Sequence, residues 1–382
     1  MNSRMSVTLT TALCVSILAG TSLLSACNDN GSGAPSTTDA SLAETSTIDA
    51  RNAPTMEAQA IDAPQTDDGP EAFPATPVFV SKLDQSKGQL TEGLWEIAPS
   101  AVDGIGTTGT PIVSYVVMGK IVAVAEDGGT ADFGVAGDAG AQTTYTLGIT
   151  TDATGSVYVG VAAGGAAPNT PAPGIWKFPP GGAGSVFSLG TAVNPAMSFA
   201  NGLDFVGTDL FVADSEGVVY KIDAAGTAAV WSSDHLLAPD KTACGGVVPL
   251  PIGANGIVHD ANNVYVTNTN FGRLIRIPIA ADGSAGTPVV IKEDCATLVG
   301  ADGLVIDPTD GTFIVALNIQ NRVVRVTPTG TVTVLASGAP LASPASVLID
   351  KTGNQRRLLV TNSTFFTAAD AGSPGLLALP IP

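Results

Sequence analysis

The stretch Asn255-Gly256-Ile257-Val258-His259-Asp260, followed closely by Asn263-Val264-Tyr265-Val266, decides the fold of this 382-residue chain. It joins a polar residue, a glycine, an aliphatic run ending in Asp and a β-branched run, a pattern typical of two strands connected by a tight turn. Clear copies are Asn201-Gly202-Leu203-Asp204-Phe205 and Asp302-Gly303-Leu304-Val305-Ile306-Asp307. Weaker copies begin at Glu92, Leu147 and Ala345.

The spacing of these copies predicts the architecture. The six starts lie 43 to 55 residues apart, and each copy holds three or four short strands. This arithmetic predicts an all-β fold, a six-bladed β-propeller with one four-stranded blade per copy. In the fourth copy the predicted strands are GIVHD, NVYVTNT, RLIRIPI and PVVIKE. A seven-bladed ring and a pair of β-sandwiches are the alternatives.

The two ends of the chain predict how the ring closes. Residues 375–381 supply only a third strand after the last repeat start, whereas residues 77–83 form an apolar run before the first one. We therefore expect residues 77–83 to provide the missing outer strand of the last blade. The propeller is predicted to span residues 73–382.

The N-terminus is typical of an export signal. Arg4 precedes an uncharged, mostly apolar segment at residues 7–24, and the sequence then reads Leu24-Ser25-Ala26-Cys27. Small residues directly before a cysteine resemble a bacterial lipoprotein signal, so residues 1–26 are predicted to be removed and Cys27 lipidated. Ordinary cleavage and an uncleaved membrane anchor are the alternatives. The predicted location is the bacterial cell envelope, facing the periplasm or at the outer membrane, which Asn28 favours.

Residues 27–72 predict a tether between the lipid and the domain. After Cys27 they consist mainly of Ala, Thr, Ser, Asp, Glu and Pro, with hardly any large apolar side chain. Such a segment cannot bury enough surface to offset the entropy of ordering it, so a disordered, acidic tether is expected.

The acidic composition limits the partners. The formal net charge is -18, and a surface this acidic repels phosphate backbones, which argues against nucleic acid. The membrane is expected to be contacted through the lipid anchor only. A small-molecule substrate or ligand is the expected partner, and a protein partner is left open.

Two cysteines remain once Cys14 has left with the signal and Cys27 is lipidated. They are Cys244 and Cys295, in a compartment that permits disulfides. A bond between them would close a loop of about 50 residues and add about 4 kcal/mol on the chain-entropy model. Two free buried thiols are the alternative.

The repeat starts also predict a site. In a propeller, equivalent positions of the innermost strands converge near the axis, and here they carry Glu92, Asn201, Asn255 and Asp302. Two carboxylates and two amide oxygens suit one divalent cation, with Ca²⁺ favoured. The alternative is that Asn and Asp before Gly are ordinary turn residues.

At these positions the chain resembles the senescence-marker-protein, gluconolactonase and luciferin-regenerating-enzyme-like propellers, which include regucalcin. The resemblance covers roughly residues 75–382, and Glu92-Gly93-Leu94-Trp95 looks like the opening motif of that family. It implies that Glu92, Asn201, Asn255 and Asp302 hold one metal ion, with Asp302 also the catalytic proton acceptor. The Arg that sugar-lactone members carry near the third-blade Asn is absent from Ser198-Phe199-Ala200-Asn201, which puts an aldonolactone substrate in doubt.

Two functions are consistent with these residues. The first is a metal-dependent, gluconolactonase-like hydrolase of a lactone or ester. The second is a non-catalytic propeller resembling NHL-repeat modules, which bind a ligand or a protein, because propellers host many functions. No GxSxG, HExxH or phosphate loop is present, and His259 is expected to pack at the level of Phe205 and Ile306.

Overall fold

The structure is a computed structural model that describes residues 78–82, 94–98, 110–115, 119–125, 127–137, 144–163, 173–350, 356–364, 366 and 374–381. All of them belong to the compact unit Ala72–Pro382. The predicted signal, the predicted tether, Cys27 and Glu92 lie outside the described residues.

The described residues form six four-stranded sheets, which confirms the six-bladed propeller. The strands of blades 1 to 3 are β2 (Leu94–Ala98), β3 (Ile112–Tyr115), β4 (Lys120–Val124), β5 (Thr130–Val135), β6 (Thr144–Thr151), β7 (Val157–Ala163), β8 (Gly174–Phe178), β9 (Ser185–Leu189), β10 (Ala200–Val206), β11 (Asp209–Asp214), β12 (Val218–Ile222) and β13 (Ala228–Ser232). Those of blades 4 to 6 are β14 (Ala254–His259), β15 (Asn263–Asn268), β16 (Arg273–Pro278), β17 (Val289–Glu293), β18 (Ala301–Ile306), β19 (Phe313–Leu317), β20 (Arg322–Val326), β21 (Val332–Ser337), β22 (Pro344–Asp350), β23 (Arg357–Asn362) and β24 (Gly375–Pro380).

The ring closes as the chain ends predict. Strand β1 (Val78–Lys82) pairs antiparallel with β24, so the last blade has the order β1-β24-β23-β22. Its outer strand thus comes from the beginning of the propeller and its other three strands from the end. This arrangement ties the strand that precedes blade 1 to the last blade by main-chain hydrogen bonds.

The core lies between neighbouring blades. Tyr158 and Ile175 of blade 2 pack with Leu203, Leu210 and Tyr220 of blade 3. Equivalent apolar clusters join blade 3 to blade 4 and blade 4 to blade 5. Successive side chains of a strand point to opposite faces, and here both faces are covered, so the strands are rich in Val, Ile and Leu rather than alternating with polar residues.

The longest connection within residues 173–350 runs from β13 to β14. It contains two 3₁₀ turns, His235–Leu237 and Ala243–Gly246, and a disulfide joins Cys244 to Cys295 at the start of the four-residue helix α1 (Cys295–Leu298). No helix within the described residues is long and apolar enough to span a membrane.

Candidate functional site

The innermost strands approach one another closely where they begin. A Cβ atom on Gly202 would collide with the main-chain oxygen of Asn255, and one on Gly256 would collide with that of Asp302. Glycine is therefore required at both positions by the backbone of the next blade. The Gly that follows each predicted ligand sets the distance between neighbouring blades at the axis.

Three of the four predicted ligands occupy equivalent positions. Asn201, Asn255 and Asp302 each follow the first residue of an innermost strand, at a bulge in the pairing with the second strand. All three have a relative exposure of 0%. The structure therefore brings these side chains from blades 3, 4 and 5 to one level of the ring, in a region without contact with bulk water.

Each of the three side chains has a partner that directly follows the second strand of its own blade. Asn201 Nδ2 donates to Ser215 Oγ over 3.2 Å, and Asn255 Nδ2 donates to Thr269 Oγ1 over 2.8 Å. The two hydroxyls in turn donate to main-chain oxygens of the next blade, at Ala254 and Ala301. In blade 5 the roles of donor and acceptor are exchanged. Here the partner donates, from Asn318 Nδ2, and the predicted ligand accepts, at Asp302 Oδ2, over 2.8 Å.

These partners orient the ligand atoms. With its Nδ2 bound to Thr269, the amide of Asn255 turns its oxygen elsewhere, and Oδ1 of Asn255 has no hydrogen-bond donor. Oδ1 of Asp302 and Oδ1 of Asn318 are also buried without a donor. A buried acceptor without a partner costs free energy, so such atoms call for an explanation.

Burial also changes the acidity of Asp302. It raises the pKa of this carboxyl to about 8, against the lowering effect of the hydrogen bond from Asn318 and of the nearby Asn255 amide and Gly303 N–H. The charged form is disfavoured because no cation among the described residues compensates for the lost water. Burial likewise raises the pKa of Asp214, beside Ser215, to about 6.

The donor set fits a hard divalent cation. Amide and carboxylate oxygens are the ligands that Ca²⁺ takes, and a cation would satisfy the acceptors left without donors at Asn255 and Asp302. No group of three or more His, Cys, Asp or Glu side chains that could hold a metal occurs among the described residues. A site here would therefore rely on amide oxygens and one carboxylate, together with any ligand from the rest of the chain.

Glu92 lies outside the described residues, and its role stays a prediction. The pairing in blade 1 joins Leu94 to Tyr115 and Ile97 to Val113, whereas the pairing in blade 4 joins Ala254 to Asn268 and Ile257 to Val266. By this register Trp95, and not Glu92, is the residue of blade 1 at the level of Asn255. The repeat alignment that paired Glu92 with Asn255 thus differs from the strand register by three positions.

The other two repeat starts make one side of the ring apolar. Leu147 in blade 2 is buried with Ala162, and Tyr145 and Phe199 pack against them. Ala345 in blade 6 is also fully buried. The polar positions are thus confined to blades 3, 4 and 5 among the five blades whose inner side chains the structure describes.

His259 does more than pack. It lies between the innermost strands of blades 3 and 4, and its Nδ1 is 2.7 Å from Asp204 Oδ2, with the two side chains 33% and 24% exposed. The hydrogen bond to Asp204 raises the pKa of His259, and burial raises the pKa of Asp204. The partner could not be found from sequence, because Asp204 lies 55 residues away in another blade.

Sequence reasoning also missed the residues that orient the ligands: Ser215, Thr269 and Asn318. Each comes directly after the second strand of its blade, 14 or 16 residues after the side chain that it contacts. The recurring polar residue at this offset is the signal that could have revealed them.

Comparison with solved structures places this geometry among known propellers. Its structural neighbours include gluconolactonase-like and regucalcin-like proteins. A gluconolactonase from Xanthomonas campestris is 15% identical, with a TM-score of 0.54 over 82% of this chain and 99% of that one. Regucalcin from Agrobacterium tumefaciens, described as a calcium-binding protein, is 14% identical, with a TM-score of 0.56 over 81% and 95%.

A neighbour with different chemistry shares the fold equally well. The PQQ-bound aldose sugar dehydrogenase of Streptomyces coelicolor is 14% identical, with a TM-score of 0.53 over 79% of this chain and 96% of that one. At such identities the likeness establishes the fold alone. No family model matches the chain, and no curated protein is similar to it.

Proposed function

We propose that this protein binds one divalent cation, with Ca²⁺ favoured, on the axial oxygens of Asn201, Asn255 and Asp302 and hydrolyses a lactone or ester there. The observation that carries the proposal is the pair of fully buried oxygens without donors, Oδ1 of Asn255 and Oδ1 of Asp302. The gluconolactonase and the calcium-binding regucalcin among the structural neighbours support the same reading. Glu92 is the proposed fourth ligand.

Each residue of the site has a separate role in the proposed reaction. When bound, the cation would supply Lewis acidity toward the carbonyl oxygen and toward a water molecule. Asn201 and Asn255 hold it with their oxygens, and Ser215 and Thr269 keep the two amides in that orientation. Asp302 would take the proton of the attacking water and return it to the alkoxide oxygen as the acyl C–O bond breaks, and Asn318 holds Oδ2 of that carboxylate in place.

A binding module without catalysis is the second candidate. The 0% exposure of Asn201, Asn255 and Asp302 favours it, because a substrate cannot reach a sealed site without a rearrangement. In that case the cation would stabilise the ring, and a ligand or protein partner would bind elsewhere on the propeller.

The deciding experiment separates binding from turnover. We expect Ca²⁺ to raise the Tm of the full-length protein, and a lactone and ester screen to find hydrolysis that a chelator abolishes. Asp302→Asn should remove turnover, and Thr333→Val, at an exposed strand position, should retain it. Stabilisation by Ca²⁺ without turnover would leave the binding module, and full metal-dependent hydrolysis by Asp302→Ala would refute the role of Asp302.

The cell-envelope location is proposed from the lipobox-like sequence before Cys27. Replacing Cys27 by Ala should move the protein from the membrane fraction to the soluble fraction. Unchanged membrane association of that variant would contradict lipid anchoring.

A further inference from the structure

The connection between β13 and β14, residues 233–253, leads from the outermost strand of blade 3 to the innermost strand of blade 4, which carries Asn255, and we call it the cap. Its two ends are held by Asn268, the last residue of β15, and by Asn270 just beyond it. Asn268 Nδ2 donates to the main-chain oxygens of Leu236 and Ala238, each over 3.0 Å. Asn270 Oδ1 accepts from the N–H groups of Asp240 and Ile252 over 3.1 and 2.8 Å. The ends of the cap are therefore fixed to blade 4.

The middle of the cap, residues 241–249, is held differently. Apart from the bonds within its own 3₁₀ turn, the hydrogen bonds that it makes within the described part of the chain go to the adjacent Asp240. It is attached elsewhere by the disulfide from Cys244 and by the side chain of Val248, which is 1% exposed. Cys244, Gly245 and Gly246 all have positive φ, and a Cβ on Gly245 would meet only open space. This segment can therefore move without breaking a strand.

Val248 enters an apolar cluster that lies directly beside the axial residues. The cluster contains Ile252, three residues before Asn255, and Ile319, which follows Asn318. It also contains Val299, three residues before Asp302, and it reaches Phe366 beyond the second strand of blade 6. The cluster thus joins the cap to blades 4, 5 and 6 at residues close in sequence to Asn255, Asp302 and Asn318, and Asn255 and Asp302 are completely buried.

Among the described residues, the surroundings of the axial oxygens offer few hydrogen-bond partners to a sugar. The cluster under the cap is apolar, and so is the wall formed by Leu147 and Ala162 in blade 2. The hydroxyls of Ser215 and Thr269 are already used, each accepting from an amide and donating to the next blade. The hydroxyls of a polyhydroxylated lactone would lose water here without gaining partners. An alkyl substituent would replace the apolar contacts of Val248.

We propose that residues 241–249 are a gate over the axial oxygens, with Val248 as its plug, and that this gate admits lactones or esters with an apolar substituent in preference to sugar lactones. The substrate part of this inference rests on the proposed hydrolase function. The disulfide keeps Cys244 beside α1. Val248 therefore leaves the cluster by a movement of the residues that follow Cys244.

The test uses two lactones with the same ring, δ-decanolactone and glucono-δ-lactone, on the full-length protein with Ca²⁺. We expect kcat/KM to be at least about tenfold higher for δ-decanolactone, the lower end of what an apolar contact adds to specificity. Val248→Ala should raise kcat/KM for δ-decanolactone by about tenfold, because an open form that is a minor population limits the apparent affinity. Val247→Ala is the matched control: its side chain is 50% exposed, and it should change the value by less than about twofold.

A preference for glucono-δ-lactone, or equal effects of the two valine variants, would overturn the proposal. If neither lactone is hydrolysed, the result contradicts the proposed hydrolase function but not the gate. Amide hydrogen exchange then tests the gate. Val248→Ala should then speed exchange at residues 255–258 and 302–305 by about tenfold, with Val247→Ala unchanged. Exchange that is the same in both variants would show that residues 241–249 do not gate the site.

Discussion

The side-chain amide of Asn318 donates to Oδ2 of Asp302 over 2.8 Å, while Oδ1 of the same carboxylate is buried and has no donor. One oxygen is thereby held and the other is available to a cation or a proton. The pKa of the same carboxyl is raised to about 8, so a cation and a proton compete for it near neutral pH.

The first prediction concerns this competition. Below about pH 8 the affinity for Ca²⁺ should rise by about tenfold per pH unit, and above it the affinity should level off, since one proton must leave Asp302 before the cation binds. Calorimetric titration between about pH 6 and pH 9 measures this slope. Asp302→Asn, which places the residue type of Asn201 and Asn255 in blade 5, should bind weakly and without the slope. An affinity independent of pH in the unmodified protein would contradict the assignment.

Stability without the cation should follow the opposite trend. The pKa of Asp302 is about 8 in the folded chain and about 3.9 when unfolded, so the unfolded state loses this proton first as the pH rises. The folded state is therefore progressively destabilised between those two values. Chelated protein should have a Tm that falls over this range, and the fall should be smaller in Asp302→Asn.

The second prediction concerns the orientation of Asn255. Thr269→Val removes the hydroxyl that accepts from Asn255 Nδ2 and donates to Ala301 O. It should lower the free energy of unfolding by about 1–3 kcal/mol, because two buried groups lose their partner. It should also weaken Ca²⁺ binding, because the amide of Asn255 is free to rotate.

A control with the same chemical change separates these effects. Thr333→Val alters an exposed residue of β21 and should stay within about 0.5 kcal/mol of the unmodified protein. Denaturant unfolding and calorimetry measure the two quantities. Loss of stability in Thr269→Val with unchanged Ca²⁺ affinity would show that Asn255 is structural.

The third prediction concerns His259. The hydrogen bond to Asp204 raises the pKa of this imidazole above its usual value of about 6.5. Its contribution to stability is therefore complete below about pH 6.5 and is lost as the pH rises through the folded pKa. An NMR titration of the ring protons should show the raised pKa, and Asp204→Asn should lower it. A titration of His259 that Asp204→Asn does not change would contradict the pairing.

The fourth prediction concerns ring closure. Removing residues 28–83 deletes β1, leaves β24 without its outer partner and should lower the Tm by several degrees or prevent folding. Removing residues 28–72 deletes only the predicted tether and should leave the Tm unchanged. Equal thermal unfolding of the two truncated proteins would show that β1 does not contribute to the ring.

Those parts of the fold that depend on local sequence could be predicted. The Asn-Gly and Asp-Gly starts of β10, β14 and β18 are set by the close approach of the next blade, so they repeat at visible intervals. Ring closure followed from counting strands, because the last repeat holds only three and residues 77–83 supply a fourth.

Other contacts between distant segments could not be fixed from the sequence alone. The pairing of Cys244 with Cys295 was one of two open alternatives until the structure brought them together. The sealing of the axial site by Val248 depends on packing among the cap and blades 4 to 6, for which the sequence has no periodic signal. The register of Trp95 in blade 1 likewise depends on the pairing of β2 with β3 rather than on the motif.

The pairing of β1 with β24 has a consequence for biosynthesis. One half of it lies before blade 1 and the other half is the third strand of blade 6. The nascent polypeptide can assemble blades one after another as it emerges, but it cannot complete the circle until β24 has been made. If the signal-like N-terminus directs export before folding, the last joint and the disulfide between Cys244 and Cys295 would both form on the far side of the membrane.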